Sequence, residues 1–260
     1  MTPLSADLAA TLRRALAAHR SGQWTRAAAG YEQILLAQPD YPEVLQLLGT
    51  VRFQTGDAAS AVTLLERVIA LQPLNAAPHV SLALVFQSVR RFQDALGHLT
   101  RALELNPAVP DVLVMRGNVL RELDRHAAAL ADYEAALRLR PDNPEALNNR
   151  GNLLRHFHRH DEALESYARA IALRPGFAEA HVNRGNGLRE LNRLDAAREA
   201  YQRALEIVPD SVRVHRSLAS VTPLTRDGAL YRALQSFAPP RNGTLATGSH
   251  RAAFRARATR

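Results

Sequence analysis

The chain has 260 residues, carries a formal net charge of +8 and contains neither cysteine nor lysine. The absence of thiols excludes disulfides, a cysteine nucleophile and sulfur-ligated metal sites. No stretch approaches the roughly 18 consecutive apolar residues that a membrane-crossing helix needs, so a cytoplasmic location without a membrane partner is expected.

At the N-terminus, Met1-Thr2-Pro3-Leu4-Ser5-Ala6-Asp7 has no basic lead, and Arg13, Arg14 and His19 break the apolar run behind it. A secretory leader is therefore not expected. The main signal begins just after. Six prolines, Pro39, Pro73, Pro107, Pro141, Pro175 and Pro209, recur every 34 residues without an insertion or deletion. That period marks a helix-turn-helix array in which each unit buries its apolar face only against its neighbours. The expected fold is all-α: a right-handed superhelical solenoid of six tandem helix-turn-helix repeats plus a capping helix. With each proline at position 32, the repeats occupy 8–41, 42–75, 76–109, 110–143, 144–177 and 178–211.

Within each repeat the small residues align. Position 20 is Ala27, Ala61, Ala95, Ala129, Ala163 and Ala197, and position 8 is Ala15, Gly49, Ala83, Gly117, Gly151 and Gly185. These positions mark the close approach of two antiparallel helices, A and B, where a larger side chain would overpack the contact. Position 24 supplies the bulk: Tyr31, Leu65, Leu99, Tyr133, Tyr167 and Tyr201. Position 15, between the helices, reads Gly22, Gly56, Arg90, Asp124, His158 and Asn192. All but Arg90 are types that tolerate a left-handed turn. The proline at position 32 then ends helix B, since it lacks an N–H and disfavours helix before it.

After Pro209 a seventh helix A is expected to start near Val212 and to stop before Pro223. Residues 226–237 have the pattern of a short amphipathic helix, with Leu230, Leu234 and Phe237 on one face, so 212–237 reads as a partial repeat and cap. The tail, 238–260, contains Arg but no acid and shows no apolar periodicity, so disorder is expected.

The pattern resembles the tetratricopeptide repeat family. Leu147, Gly151, Leu154, Ala163, Tyr167 and Pro175 match its signature in order, with Arg150, like Arg116 and Arg184, where the family usually has Leu. The resemblance spans 8–211 and implies a concave surface lined by the A helices.

On that face the later repeats are polar. Position 9 carries Asn118, Asn152 and Asn186, position 6 carries Asn149 and Asn183, and position 12 carries Arg121, Arg155 and Arg189. Asn amides offer one acceptor and two donors, suited to the backbone of an extended peptide, and Arg adds charge-assisted bonds to carboxylates or phosphates. The alternative is that Asn only solvates the helix and Arg pairs with Glu122, Glu190, Glu145 or Glu179. Leu12, Leu16, Leu47, Phe53, Val80 and Leu84 line the same face in repeats one to three, as ordinary packing or as an apolar contact for a partner or another copy of the chain.

The Asn series is similar to the repeat arm of O-linked N-acetylglucosamine transferases around Leu147-Asn148-Asn149-Arg150-Gly151-Asn152 and His181-Val182-Asn183-Arg184-Gly185-Asn186. That resemblance implies a peptide-backbone role for Asn149 and Asn183. A second resemblance is to the carboxylate clamp of co-chaperones, which falls on Asn148, Asn152, Asn183 and Arg213, with Arg216 adjacent to the last position.

No nucleophile, base and orienting acid assemble from the sequence, and no cofactor is expected. The His126, His156, His158 and His160 cluster lacks a carboxylate set that would complete a metal site, so none is expected. Both charge signs are interspersed up to residue 240, which argues against nucleic acid; a third reading, in which the five Arg of the last twenty residues contact it, would require steeply salt-sensitive binding. The expected function is a non-catalytic scaffold presenting an Asn- and Arg-lined groove to an extended acidic peptide. The alternative is a recognition arm for a glycosyltransferase or sulfotransferase, either truncated or acting in trans with a separate transferase subunit.

Overall fold

The computed structural model describes residues 4–222 and 228–236; the expected disorder of 238–260 and the positions of Pro223 and Phe237 lie outside them. The described residues form helices and turns, without strands. By its packing the chain divides into two units, residues 1–173 and 174–260.

The first unit contains five helix pairs: α1 (Ala6–Arg20) with α2 (Trp24–Ala37), α3 (Pro42–Gln54) with α4 (Ala58–Leu71), α5 (Ala77–Ser88) with α6 (Phe92–Leu105), α7 (Pro110–Glu122) with α8 (His126–Leu139), and α9 (Pro144–His156) with α10 (His160–Leu173). Each helix packs most extensively on its pair partner, and α2, α4, α6 and α8 also pack on the first helix of the following pair. In the second unit α11 (Ala178–Glu190) pairs with α12 (Leu194–Ile207), followed by α13 (Val212–Ala219) and α14 (Ala229–Ser236). The second helices, α2 through α12, are each 14 residues long.

Local chemistry sets these boundaries. Pro42, Pro110 and Pro144 open α3, α7 and α9, where the missing N–H would have no helical partner in any case. Asn143 caps α9 by accepting from the Ala146 N–H at 3.0 Å. Each helix B stops two residues before its proline, with an extended cap such as Arg140, at φ −140° and ψ 93°.

The turn inside each pair is a Schellman motif. At α7 the Arg125 N–H donates to Leu120 O at 2.8 Å and the Asp124 N–H to Arg121 O at 3.0 Å, which places Asp124 at φ 57°. Gly22, Gly56, His158 and Asn192 share that left-handed conformation, and so does Arg90 at φ 59°, the residue whose type did not predict it. At Arg90 the packing of the pair fixes the turn against the residue's own preference.

The aligned core positions are buried as the pattern predicts. The position-20 alanines and the position-24 Tyr or Leu residues are all at most 1 % exposed. What fills the space over the position-8 glycines is more specific than a close helix approach. A Cβ on Gly117, Gly151 or Gly185 would lie 2.5–2.7 Å from Cε1 of Tyr133, Tyr167 or Tyr201. In these pairs the glycine makes room for a ring.

Arg116, on the core-facing side of α7, solves its burial with charge. Its Nε and Nη2 each donate to Asp132 at 2.7 Å in a two-pronged pair, and the Asp132 side chain is 8 % exposed. Arg150 donates to Ser166 Oγ at 2.6 Å and also lies 3.6 Å from Glu134 and 3.8 Å from Glu162. The arginine thus replaces the family's apolar residue by pairing across to position 23 of helix B.

Candidate functional site

The Asn and Arg series lies on the first helices of the later pairs. In the first unit α7 carries Asn118 and Arg121, and α9 carries Asn148, Asn149, Asn152 and Arg155. In the second, α11 carries Asn183, Asn186 and Arg189, and α13 carries Arg213 and Arg216. Accessibility divides this set. Asn148 is 1 % exposed and Asn183 is 7 % exposed, so both sit beneath the surface. Asn118, Asn149, Asn152, Asn186, Arg121 and Arg155 are half-buried, and Arg189, Arg213 and Arg216 are exposed.

The position-9 asparagines are not simply solvated. Tyr133 donates its phenolic proton to Asn118 Oδ1 at 2.7 Å, Tyr167 to Asn152 Oδ1 at 2.8 Å and Tyr201 to Asn186 Oδ1 at 2.8 Å. Burial pushes the Tyr133 hydroxyl up to about 12, despite the opposing charge of Arg121, so it remains a donor across the neutral range. Each bond turns the amide oxygen toward the second helix of its own pair and leaves the Nδ2 hydrogens of Asn118, Asn152 and Asn186 unengaged among the described residues.

Asn149 joins this arrangement from the next helix, donating through Nδ2 to Asn118 Oδ1 at 3.0 Å. Both acceptor sites of that oxygen are now occupied. The linked amides retain the Asn118 Nδ2 hydrogens on α7 and the Asn149 Oδ1 on α9. Sequence reasoning singled out both residues but missed their bond and the tyrosine behind it. A usable signal was present: in repeats four to six a Gly-Asn pair stands 15 residues before Tyr in the next helix.

Arg121 pairs with its neighbour Glu122 at 2.9 Å, as the solvation alternative anticipated. In the second unit Arg189, Arg213 and Arg216 come together around one open cavity. Most of the apolar half of the face acts as packing: Leu12 and Leu47 lie against the core of the first two pairs, and Phe53 and Val80 against the core that follows. Leu84 is 45 % exposed.

Among the described residues no group of three or more His, Asp or Glu is placed to hold a metal ion. His126 and His156 instead meet edge to face at 4.4 Å between ring centroids. No described helix is long and apolar enough to cross a membrane.

The descriptions of the Tetratricopeptide repeat match residues 7–83 in one form, and 80–144, 114–176 and 148–212 in another. The chain belongs to the tetratricopeptide repeat family. No curated protein matches it. Among solved structures, YrrB, described as a TPR protein with an unusual peptide-binding site, is 21 % identical, with a TM-score of 0.63 over 74 % of this chain and 98 % of that one. MamA is 22 % identical, with a TM-score of 0.60 over 64 % of this chain and 97 % of that one. The APC/C hetero-tetramer Cut9-Hcn1 is 14 % identical, with a TM-score of 0.67 over 83 % of this chain, which spans 43 % of that one. These likenesses show the TPR fold.

Proposed function

We propose that this TPR chain is a non-catalytic interaction scaffold whose helix A surface binds an extended peptide segment of a protein partner. The observation that carries this reading is the linked pair Asn118 and Asn149. On successive A helices it leaves one amide N–H side and one amide oxygen unengaged among the described residues. A peptide group needs the complement, a donor for its carbonyl and an acceptor for its N–H. Main-chain recognition of this kind is indifferent to side chains, and Arg at position 12 would bias it toward acidic segments. YrrB, a TPR protein described with a peptide-binding site, supports the same use of the fold.

The test is capture of partners from a lysate of the native cell by the wild-type chain and by Asn149→Ala, with equal folding checked by melting. At least one partner should be lost with the variant. A transferase or its substrates among the lost proteins would make the chain a recognition arm, whereas an unchanged set of partners would remove the amide pair from any binding role.

A further inference from the structure

In the second unit, α11 and α13 enclose an open cavity of about 500 Å3, lined by Arg189, Val212, Arg213, Arg216, Ser217 and Ser220. Among the described residues no carboxylate lines it. The three guanidinium groups make no hydrogen bond or ion pair with any other described residue. Elsewhere several arginines find an acid: Arg67 meets Asp40 at 2.6 Å, Arg91 meets Asp94 at 2.8 Å and Arg159 meets Glu162 at 2.7 Å. The sequence shows how the cluster arises. The second position of the repeat is Glu43, Asp111, Glu145 and Glu179 in four repeats, and at α13 it becomes Arg213. A position that elsewhere supplies a negative charge here adds a positive one.

The serines do not offset this charge, nor do they direct their protons at a ligand. Ser217 Oγ donates to Arg213 O at 3.1 Å and Ser220 Oγ to Ser217 O at 2.6 Å. The hydrogens left for a ligand are therefore those of three guanidinium forks, whose mutual repulsion is relieved when an anion enters. A carboxylate brings one charge and two oxygens. A phosphomonoester brings about −1.5 to −2 at pH 7 and three strong acceptor oxygens, the better match to three forks.

We propose that this cavity binds the phosphomonoester of a phosphorylated side chain in the peptide partner. The proposal rests on the reading of the A helices as a peptide-binding surface and supplies the chemistry of one part of it.

The test uses the full chain and a labelled Ala- and Gly-flanked peptide carrying phosphoserine, with Ser and Glu versions for comparison, measured by fluorescence anisotropy at fixed ionic strength. The phosphoserine peptide should bind at least about tenfold tighter than either, and Arg213→Glu and Arg216→Glu should each remove about tenfold without changing the melting point. Binding should weaken between pH 7.5 and 5.5, as the phosphate takes up its second proton near pH 6. Equal affinity for the Glu peptide, or no saturable binding, would overturn the proposal. Inorganic phosphate binding as tightly as the peptide would overturn the assignment to a peptide-borne group. If phosphoserine fails while partner capture still depends on Asn149, the phosphate inference alone falls; if capture is also indifferent to Asn149, the peptide surface falls with it.

Discussion

Tyr167 donates its phenolic proton to Asn152 at 2.8 Å, while the same ring occupies the space where a Cβ on Gly151 would lie, 2.6 Å from Cε1. One side chain thus fixes two adjacent residues of the facing helix. Gly in a helix interior ordinarily costs about 0.5–1 kcal/mol relative to Ala, so Gly151→Ala would stabilise a helix with free space there. Here overpacking by about 1–3 kcal/mol should dominate, and the variant should melt below the wild type. The loss should shrink in a Tyr167→Leu background, since the third repeat already combines Ala83 with Leu99, both fully buried. A rise in melting point for Gly151→Ala alone would show that the ring yields.

The Arg116–Asp132 pair predicts strong coupling. Asp132→Leu leaves a partly buried guanidinium without its acceptor and should cost about 1.5–3 kcal/mol by urea unfolding. Adding Arg116→Leu should recover much of that loss, because Leu48 and Leu82 fill the equivalent position in the second and third repeats and are at most 4 % exposed. Additive losses in the double-mutant cycle would mean that the two charges act separately.

Stability should also respond to pH through His79 and His98, whose Nδ1 atoms lie 3.0 Å apart between α5 and α6. Burial lowers the pKa of both; His98 and Arg101 lower His79 further, whereas Glu66 from α4 and Asp94 from α6 oppose the shift at His98. Folded-state values below the unfolded one mean that the unfolded chain binds more protons in the window beneath about pH 6.5. Their contribution is complete above that pH and is lost as pH falls toward the folded values. The wild-type melting point should drop between pH 7.5 and 5.5 by more than that of His79→Phe/His98→Leu. Parallel profiles would place the acid sensitivity elsewhere.

Arg90 adopts φ 59° with its guanidinium 5.3 Å from the Phe92 ring. The left-handed conformation costs a non-glycine residue about 1–2 kcal/mol, and an exposed cation–π contact returns about 0.5–1 kcal/mol. Arg90→Gly should therefore raise stability by up to about 1 kcal/mol, read as a higher urea midpoint. A lower midpoint would show that the ring contact outweighs the strain.

The sequence made the helix pairs legible because each aligned position has one geometric duty. Ala163 and Tyr167 are fully buried, and His158 is left-handed where its type allowed it. The site was less legible because polar residues have two plausible duties. Asn152 reads equally well as a solvated or a ligand-facing amide until Tyr167 is seen to bond it from 15 residues away. Asn148 adjoins Asn149 in sequence yet is buried, since successive helical residues point about 100° apart and only one of the two faces outward. Arg116 looked like a misplaced charge because its partner, Asp132, lies in the next helix.

In the first unit each helix packs chiefly on its neighbours in the sequence. The ends of such contacts are joined by short stretches of chain, so closing them loses little entropy and folding need not wait for distant segments. A pair such as α7 and α8 has its own Schellman turn, tyrosine and glycine as soon as its residues have left the ribosome. The array is thus suited to assembly during synthesis, one pair at a time, and to gain or loss of whole pairs without disturbing the register of those that remain.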